Sequence, residues 1–187
     1  VPQLMPFLHL PVQSGSNRML AAMNRRHTAD EYRKLIDRLR EAQPNLALSS
    51  DFIVGFPGET DKDFTQTLRL ISDIEYAQAY SFIYSARPGT PAAGAENLVP
   101  EGVSRDRLES LQQLLRAHQD AFNQKQLGRV LPVLIEGEGR RDGQVVGRSP
   151  FNQPVHFDAP AQQVGLIAET RIREVLSNSL RGEVVDL

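Results

Sequence analysis

Two short stretches carry residue types and spacings from which chemistry can be read. Residues 49–60 run Ser-Ser-Asp-Phe-Ile-Val-Gly-Phe-Pro-Gly-Glu-Thr. Phe52, Ile53 and Val54 make a short apolar run bounded by turn residues, as a strand covered on both faces does, and Gly55, Pro57 and Gly58 then break it. In α/β folds ligands bind at the carboxyl ends of parallel strands, where a turn without side chains lets backbone groups approach a cofactor. Alternatively, the two glycines serve only a tight turn, since a glycine-rich turn is a weak motif by itself. The second stretch, Gln13-Ser-Gly-Ser16, follows the apolar residues 6–12 and is placed after its strand as Gly58 is after the next. Gln13 and Ser14 either cap the following helix or stand at a cofactor rim, with Asp51 on the next strand a further candidate. Arg25, Arg26 and Arg87 fall on loops near that rim, where guanidinium groups meet phosphates or remain solvated. Gly58-Glu-Thr60 lacks the lysine of a phosphate-binding loop, and no nucleophile elbow occurs. His9, His27, His118 and His156 have no metal-ligand spacing. No metal site and no catalytic residue is assigned within the chain.

The elements that must position these residues follow from periodicity. A strand over 6–12 leads into a short helix at 17–23, and Thr28 with Glu31 forms a capping box. Tyr32, Leu35, Ile36, Leu39 and Ala42 give the next helix one apolar face. A second strand covers 46–54. Thr60 with Asp63 signals another helix start, ahead of Phe64, Thr67, Leu68, Ile71 and Ile74. A third strand at 79–84 ends in the turn Arg87-Pro-Gly-Thr90; Phe82 and Tyr84 share one of its faces and belong either to the core or beside a bound base. Three strand and helix units imply a parallel sheet with right-handed crossovers. Residues 88–102, rich in Pro, Gly and Ala, read as an extended connection. A long helix spans 105–126, with Leu108, Leu111, Leu115 and Phe122 on one side, and Gly128 stops it. Beyond it the period changes to two: strands at 130–135, 144–147, 154–157, 166–175 and 182–186, with an Asp142-Gly143 hairpin turn, predict a small closed barrel.

Composition bounds the function. The 187 residues, 40% hydrophobic, suit one ordinary domain and a small one. No apolar run reaches the roughly 20 residues of a membrane span, so a cytoplasmic location without a membrane partner is expected. The formal net charge of −2 gives no domain-wide basic footprint. From Gly128 onward seven basic residues stand against eight acidic ones, so nucleic-acid binding there requires clustering. Cysteine is absent, which removes disulfides and thiolate cluster ligands alike.

Asp51, Gly55, Pro57, Gly58 and Glu59, taken with His9-Leu-Pro-Val-Gln-Ser-Gly-Ser16 and Phe82-Ile-Tyr-Ser-Ala-Arg-Pro-Gly-Thr90, resemble the radical S-adenosylmethionine methylthiotransferases, and within them the tRNA branch. The resemblance runs from His9 to Leu187. It implies an α/β fold, the second half of a partial (β/α)6 TIM-like barrel over residues 1–127, and a small all-β OB-like TRAM barrel over 128–187. Because such enzymes hold a 4Fe-4S cluster through three cysteines in an early loop, it also implies a C-terminal piece whose cluster ligands lie upstream. The cofactor is S-adenosylmethionine, with Gln13, Ser14, Asp51, Ile53, Val54, Gly55 and Phe82 expected around it. The partner is a tRNA anticodon stem-loop, together with an electron donor that reduces the cluster. Arg25, Arg26, Arg87, Arg148, Asn152, Asn178 and Arg181 are expected at the RNA. Gly147-Arg-Ser-Pro-Phe-Asn152 and Asn178-Ser-Leu-Arg-Gly182 match the two TRAM signatures, but the family often carries Arg after the first Asn, where this chain has Gln153 and Pro154. The activity implied is methylthiolation of an isopentenylated adenosine beside the anticodon; the alternatives are the sister enzyme acting on a ribosomal protein and a non-catalytic RNA-binding fragment.

Overall fold

A computed structural model describes residues 5–186. The outermost limits expected for the two domains, at residues 1 and 187, lie outside the described residues. The chain divides into two compact units, one of Leu8–Gln119 and one holding residues 120–186.

The first unit contains β1 (Phe7–His9, whose first residue precedes the unit), α1 (Asn17–Ala22), α2 (Ala29–Ala42), β2 (Ala47–Val54), α3 (Asp61–Ile74), β3 (Gln78–Ile83) and most of α4 (Glu101–Gln124). Both helix starts expected from local sequence are present: Thr28 with Glu31 and Thr60 with Asp63 form capping boxes, in which each cap hydroxyl accepts an N–H of the first turn and the acid accepts the cap N–H. The three strands lie in the order β1-β2-β3, with β2 and β3 parallel. Alternation along β2 sends Leu48, Phe52 and Val54 into a core with Tyr32, Ile36, Leu70, Ile71, Ile74, Leu111 and Leu115. Leu35 of the expected α2 face is exposed instead. The opposite face of the sheet is open. There Asp51 pairs in register with Tyr80 and Ile53 with Phe82, and Tyr80 and Phe82 are 49% and 54% exposed. Phe82 is therefore no core residue. Tyr84, beyond the strand, is half-buried with its ring edge-on to Phe56 at 5.1 Å.

The connection after β3 is less extended than its composition predicts. Pro91–Gly94 form a 3-10 turn, and α4 begins at Glu101, four residues before the expected start. An acid in the first turn is the local reason, because Glu101 complements the helix N-terminus and pairs with Arg105 one turn on.

In the second unit β4 (Val130–Glu138), β5 (Gln144–Arg148), β6 (Pro154–Asp158), β7 (Ile167–Val175) and β8 (Leu180–Asp186) close into a barrel in the order β4-β5-β6-β8-β7. Period-two burial is clearest in β4, where Leu131, Val133 and Ile135 point inward to meet Val145, Val155, Phe157, Ala168, Ile172 and Leu180. Closure leaves no free edge. Phe151, from the loop after β5, packs edge-on to Phe122 at 5.5 Å, and the Arg129 guanidinium lies over its ring.

Candidate functional site

The turns after β1 and β2 meet at one rim, as their matching positions predict. Gln13 forms a parallel bridge to Phe52: its N–H donates to Asp51 at 2.9 Å, and its carbonyl accepts from Ile53 at 3.0 Å. The bridge holds Gln13 at φ 79°, in the left-handed region that a side chain other than glycine's rarely adopts. Its side chain is nearly buried and has no hydrogen-bond partner among the described residues. Ser14, expected beside the cofactor, instead turns toward α3, where its hydroxyl shares a 3.2 Å hydrogen bond with Thr67 and accepts from the Ser16 N–H. Val54 is fully buried on the core face, so its side chain cannot meet a ligand on the open face. Ile53 and Phe82 remain as an accessible apolar wall on that face.

Asp51 stands on the same face with a distinct set of partners. His9 on β1 shares a 3.0 Å hydrogen bond between Nδ1 and the Ser49 hydroxyl, and its Nε2 lies 3.6 Å from the Asp51 carboxylate. The Tyr80 ring meets the imidazole edge-on at 6.2 Å, and Gln78 donates to the Tyr80 hydroxyl at 2.9 Å. A carboxylate, an imidazole and a phenol thus share one accessible sheet face. The sequence singled out Asp51 and left His9 and Tyr80 unassigned, since His9 meets Ser49, Asp51 and Tyr80 across 40, 42 and 71 residues; period-two alternation on β3 was the available signal for Tyr80.

Glu59 and Arg107 form a buried ion pair near the rim, and spacing could not predict their meeting. The Glu59 carboxylate accepts the Gly55 N–H at 2.8 Å and pairs with Arg107 at 2.8 Å. Arg107 also donates to the Glu59 carbonyl at 3.2 Å and pairs with Asp61 at 2.7 Å. Burial pushes the Glu59 carboxyl upward in pKa, against the stabilising Gly55 N–H and Arg107. Gly55 takes φ 70°, and a Cβ there would overlap the Ser104 hydroxyl and lie 2.9 Å from the Ser104 Cβ. The glycine is thus required by the approach of α4, and its N–H is already engaged by Glu59. Backbone contact between Gly55 and a cofactor, as the sequence alone invites, has to compete with both.

Asp63 fastens the rim from the helix side. It accepts from Ser16 at 2.6 Å, from the Thr60 N–H at 2.9 Å and from Arg18. Burial alone would raise its pKa, but hydrogen bonds from Arg18, Ser16 and Thr60 outweigh it and hold the carboxyl far below the usual range. A depressed native pKa stabilises the fold fully above the unfolded value of about 3.9 and loses that stabilisation as pH falls toward the native value. Asp63→Asn should therefore lower stability at neutral pH and flatten its decline below about pH 4; thermal melts across an acid series would show parallel curves for both proteins if Asp63 were not the titrating group.

The expected RNA residues fall into separate groups. Arg25 and Arg26, after α1, and Arg87, after β3, are exposed without ion pairs among the described residues. In the barrel, Arg148 pairs with Glu136 at 3.0 Å and donates to the Asn152 carbonyl at 3.2 Å. Asn152 sits at φ 62° and shapes the turn, Asn178 is exposed, and Arg181 pairs with Glu174 at 3.2 Å. Arg140 and Arg141, not anticipated, make no ion pair among the described residues. His156, in register with Arg181, is lowered in pKa by burial and then by Arg140, Arg181 and Arg141. Arg148 and Arg181 are thus each tied to a carboxylate, whereas Arg140 and Arg141 are not.

None of the 187 residues is cysteine, and among the described residues no group of His, Asp or Glu is arranged to hold a metal ion. The residues present do not fit an iron-sulfur cluster. No helix among the described residues is long and apolar enough to cross a membrane. Residues 4–71 match the radical SAM superfamily, which covers the rim turns and most of α3. Residues 124–185 match the TRAM domain, which covers the closed barrel. The chain thus carries a radical SAM segment followed by an RNA-binding TRAM domain, a combination consistent with the methylthiotransferases.

Proposed function

We propose that this chain is part of a cytoplasmic (dimethylallyl)adenosine tRNA methylthiotransferase, and that its first unit is the second half of a partial (β/α)6 barrel. The observation that carries this reading is the pairing, on one chain, of a radical SAM match ending within α3 with a TRAM barrel. The wording of residues 9–16 and of Ser49-Ser50-Asp51 supports the tRNA branch. S-adenosylmethionine supplies both the methyl group and the radical precursor in this chemistry. The chain's own contribution is positional. Ile53 and Phe82 offer the apolar wall that a flat base requires, and Gln13 and Asp51 offer polar groups at its edge. The TRAM barrel holds the RNA, whose anticodon-loop bases can be unstacked for modification.

Loss of the gene encoding this chain should leave isopentenyladenosine in bulk tRNA without its methylthio group, as read by mass spectrometry of digested nucleosides. Intact methylthiolated tRNA together with an unmodified ribosomal protein would sink the tRNA assignment in favour of the sister activity.

A further inference from the structure

An open depression of about 470 Å³ lies among the first turns of α1 and α2 and one side of α3, apart from the sheet face that carries Asp51 and Phe82. Its cations are Arg18, Arg33, Lys62 and Arg69. Two lining carboxylates, Asp30 and Asp63, face these four cations, and Asp73 pairs with Arg33 at 3.0 Å, which leaves one net positive charge on a chain whose formal net charge is −2. Local charge thus opposes global charge. Lys62, Gln66 and Arg69 recur at helical spacing and form one stripe along α3.

The hydrogen-bonding inventory decides which ligand fits. The acceptors are largely engaged within the protein. Asp63 is saturated by Ser16, Thr60 and Arg18, the Asn17 side-chain oxygen takes the Ala29 N–H at 2.8 Å, and Asp30 holds Arg33 at 3.3 Å. The donors are not. Lys62 and Arg69 have no partner among the described residues. Arg18 is fixed through Nε and Nη2 by Asp63 and the Gly58 carbonyl, which leaves Nη1 unengaged. Asn17, oriented by its oxygen, keeps its amide N–H groups. A site with unengaged donors and occupied acceptors selects an anion rich in acceptor oxygens. The stripe from Lys62 to Arg69 covers about 10 Å of helix axis, more than one phosphate group occupies.

We propose that this depression binds the phosphodiester backbone of RNA, as a contact surface on the radical SAM segment itself. The proposal rests on the RNA-modifying function proposed above. Phosphate contacts position an RNA without reading its sequence, so the surface serves orientation and not base choice.

The test is a titration of a fluorescein-labelled RNA stem-loop by anisotropy between about 50 and 200 mM KCl. The double variant Lys62→Gln, Arg69→Gln changes exposed residues that make no hydrogen bond or ion pair among the described residues. It should bind about 25- to 60-fold more weakly near 0.1 M salt, with the salt slope reduced by roughly 1.4 to 1.8 if both residues contact phosphates. Arg38→Gln with Arg116→Gln removes the same charge at exposed positions outside the depression and outside the TRAM match, and should change little. Equal weakening in both double variants overturns the proposal, because it would report net charge only. RNA binding of unchanged affinity and slope in the Lys62, Arg69 variant also overturns it. A calorimetric arm with inorganic phosphate distinguishes the sources of the anion: loss of phosphate binding with RNA binding intact makes this a small-anion site and removes the RNA assignment. No RNA binding by the unaltered chain overturns this proposal together with the RNA-modifying function, whereas an unchanged slope in the variant overturns this one alone.

Discussion

Replacing Arg107 with alanine should cost about 3–5 kcal/mol of folding stability, the range for removing one partner of a buried ion pair. The side chains of Arg107 and Glu59 are 8% and 1% exposed, so water cannot replace the lost guanidinium. The Glu59 carboxylate would keep only the Gly55 N–H, and its already raised pKa would rise further. An acid whose native pKa exceeds its unfolded value binds the proton more tightly when folded, so the variant should regain stability as pH falls through the native pKa of Glu59. Urea denaturation at neutral and mildly acidic pH, followed by circular dichroism, would reveal this as a shrinking deficit. Glu59→Gln keeps an acceptor for Gly55 without the charge, and the double variant should recover much of the loss, which a double-mutant cycle would quantify. A cost under about 1 kcal/mol would place the pair among solvated surface bridges.

Gly55→Val should destabilise the protein by about 2–5 kcal/mol, from left-handed backbone strain and overpacking together. The backbone sits at φ 70°, and the new Cβ points into Ser104 of α4. The two causes can be separated. Ser104→Gly in the same chain removes the overlap and leaves the backbone strain, so it should restore only part of the stability. Complete restoration would mean that the φ angle carries no cost, and no restoration would mean that Ser104 yields freely. This substitution probes folding first, and any loss of cofactor affinity in Gly55→Val has to be read against the melting temperature of the same preparation.

What the sequence disclosed depended on how far apart the interacting residues are. Capping by Thr28 with Glu31 and by Thr60 with Asp63 acts over three residues, and both boxes form. Period-two alternation and the Asp142-Gly143 turn likewise disclosed the five barrel strands. The Arg107–Glu59 pair spans 48 residues and the His9–Ser49 bond 40, and no local pattern announces such meetings. Phe82 shows a related difficulty, because an aromatic residue in a strand has the same propensity on a covered face as on an open one. Arg148 and Arg181 were singled out by the wording of their loops, whereas partnership with Glu136 and Glu174 depends on strand pairing, which wording does not encode. In the same way Val54 and Ile53 look alike in sequence, and only the register of the sheet sends one to the core and the other to the open face.

Gln13 shows where economy of folding gives way. At φ 79° glycine would relax the backbone, and a side chain other than glycine's forgoes roughly 1–2 kcal/mol there. The nearly buried amide returns no side-chain hydrogen bond to the described fold. A residue that strains its own backbone and whose side chain adds no hydrogen bond makes the protein less stable than glycine at the same bridge would. Strain of this kind gathers at functional positions, and the chain tolerates it at the junction where two strand ends are sewn together. Thermostabilised variants selected without regard to activity should accordingly favour glycine at residue 13, and selection that retains activity should keep the amide.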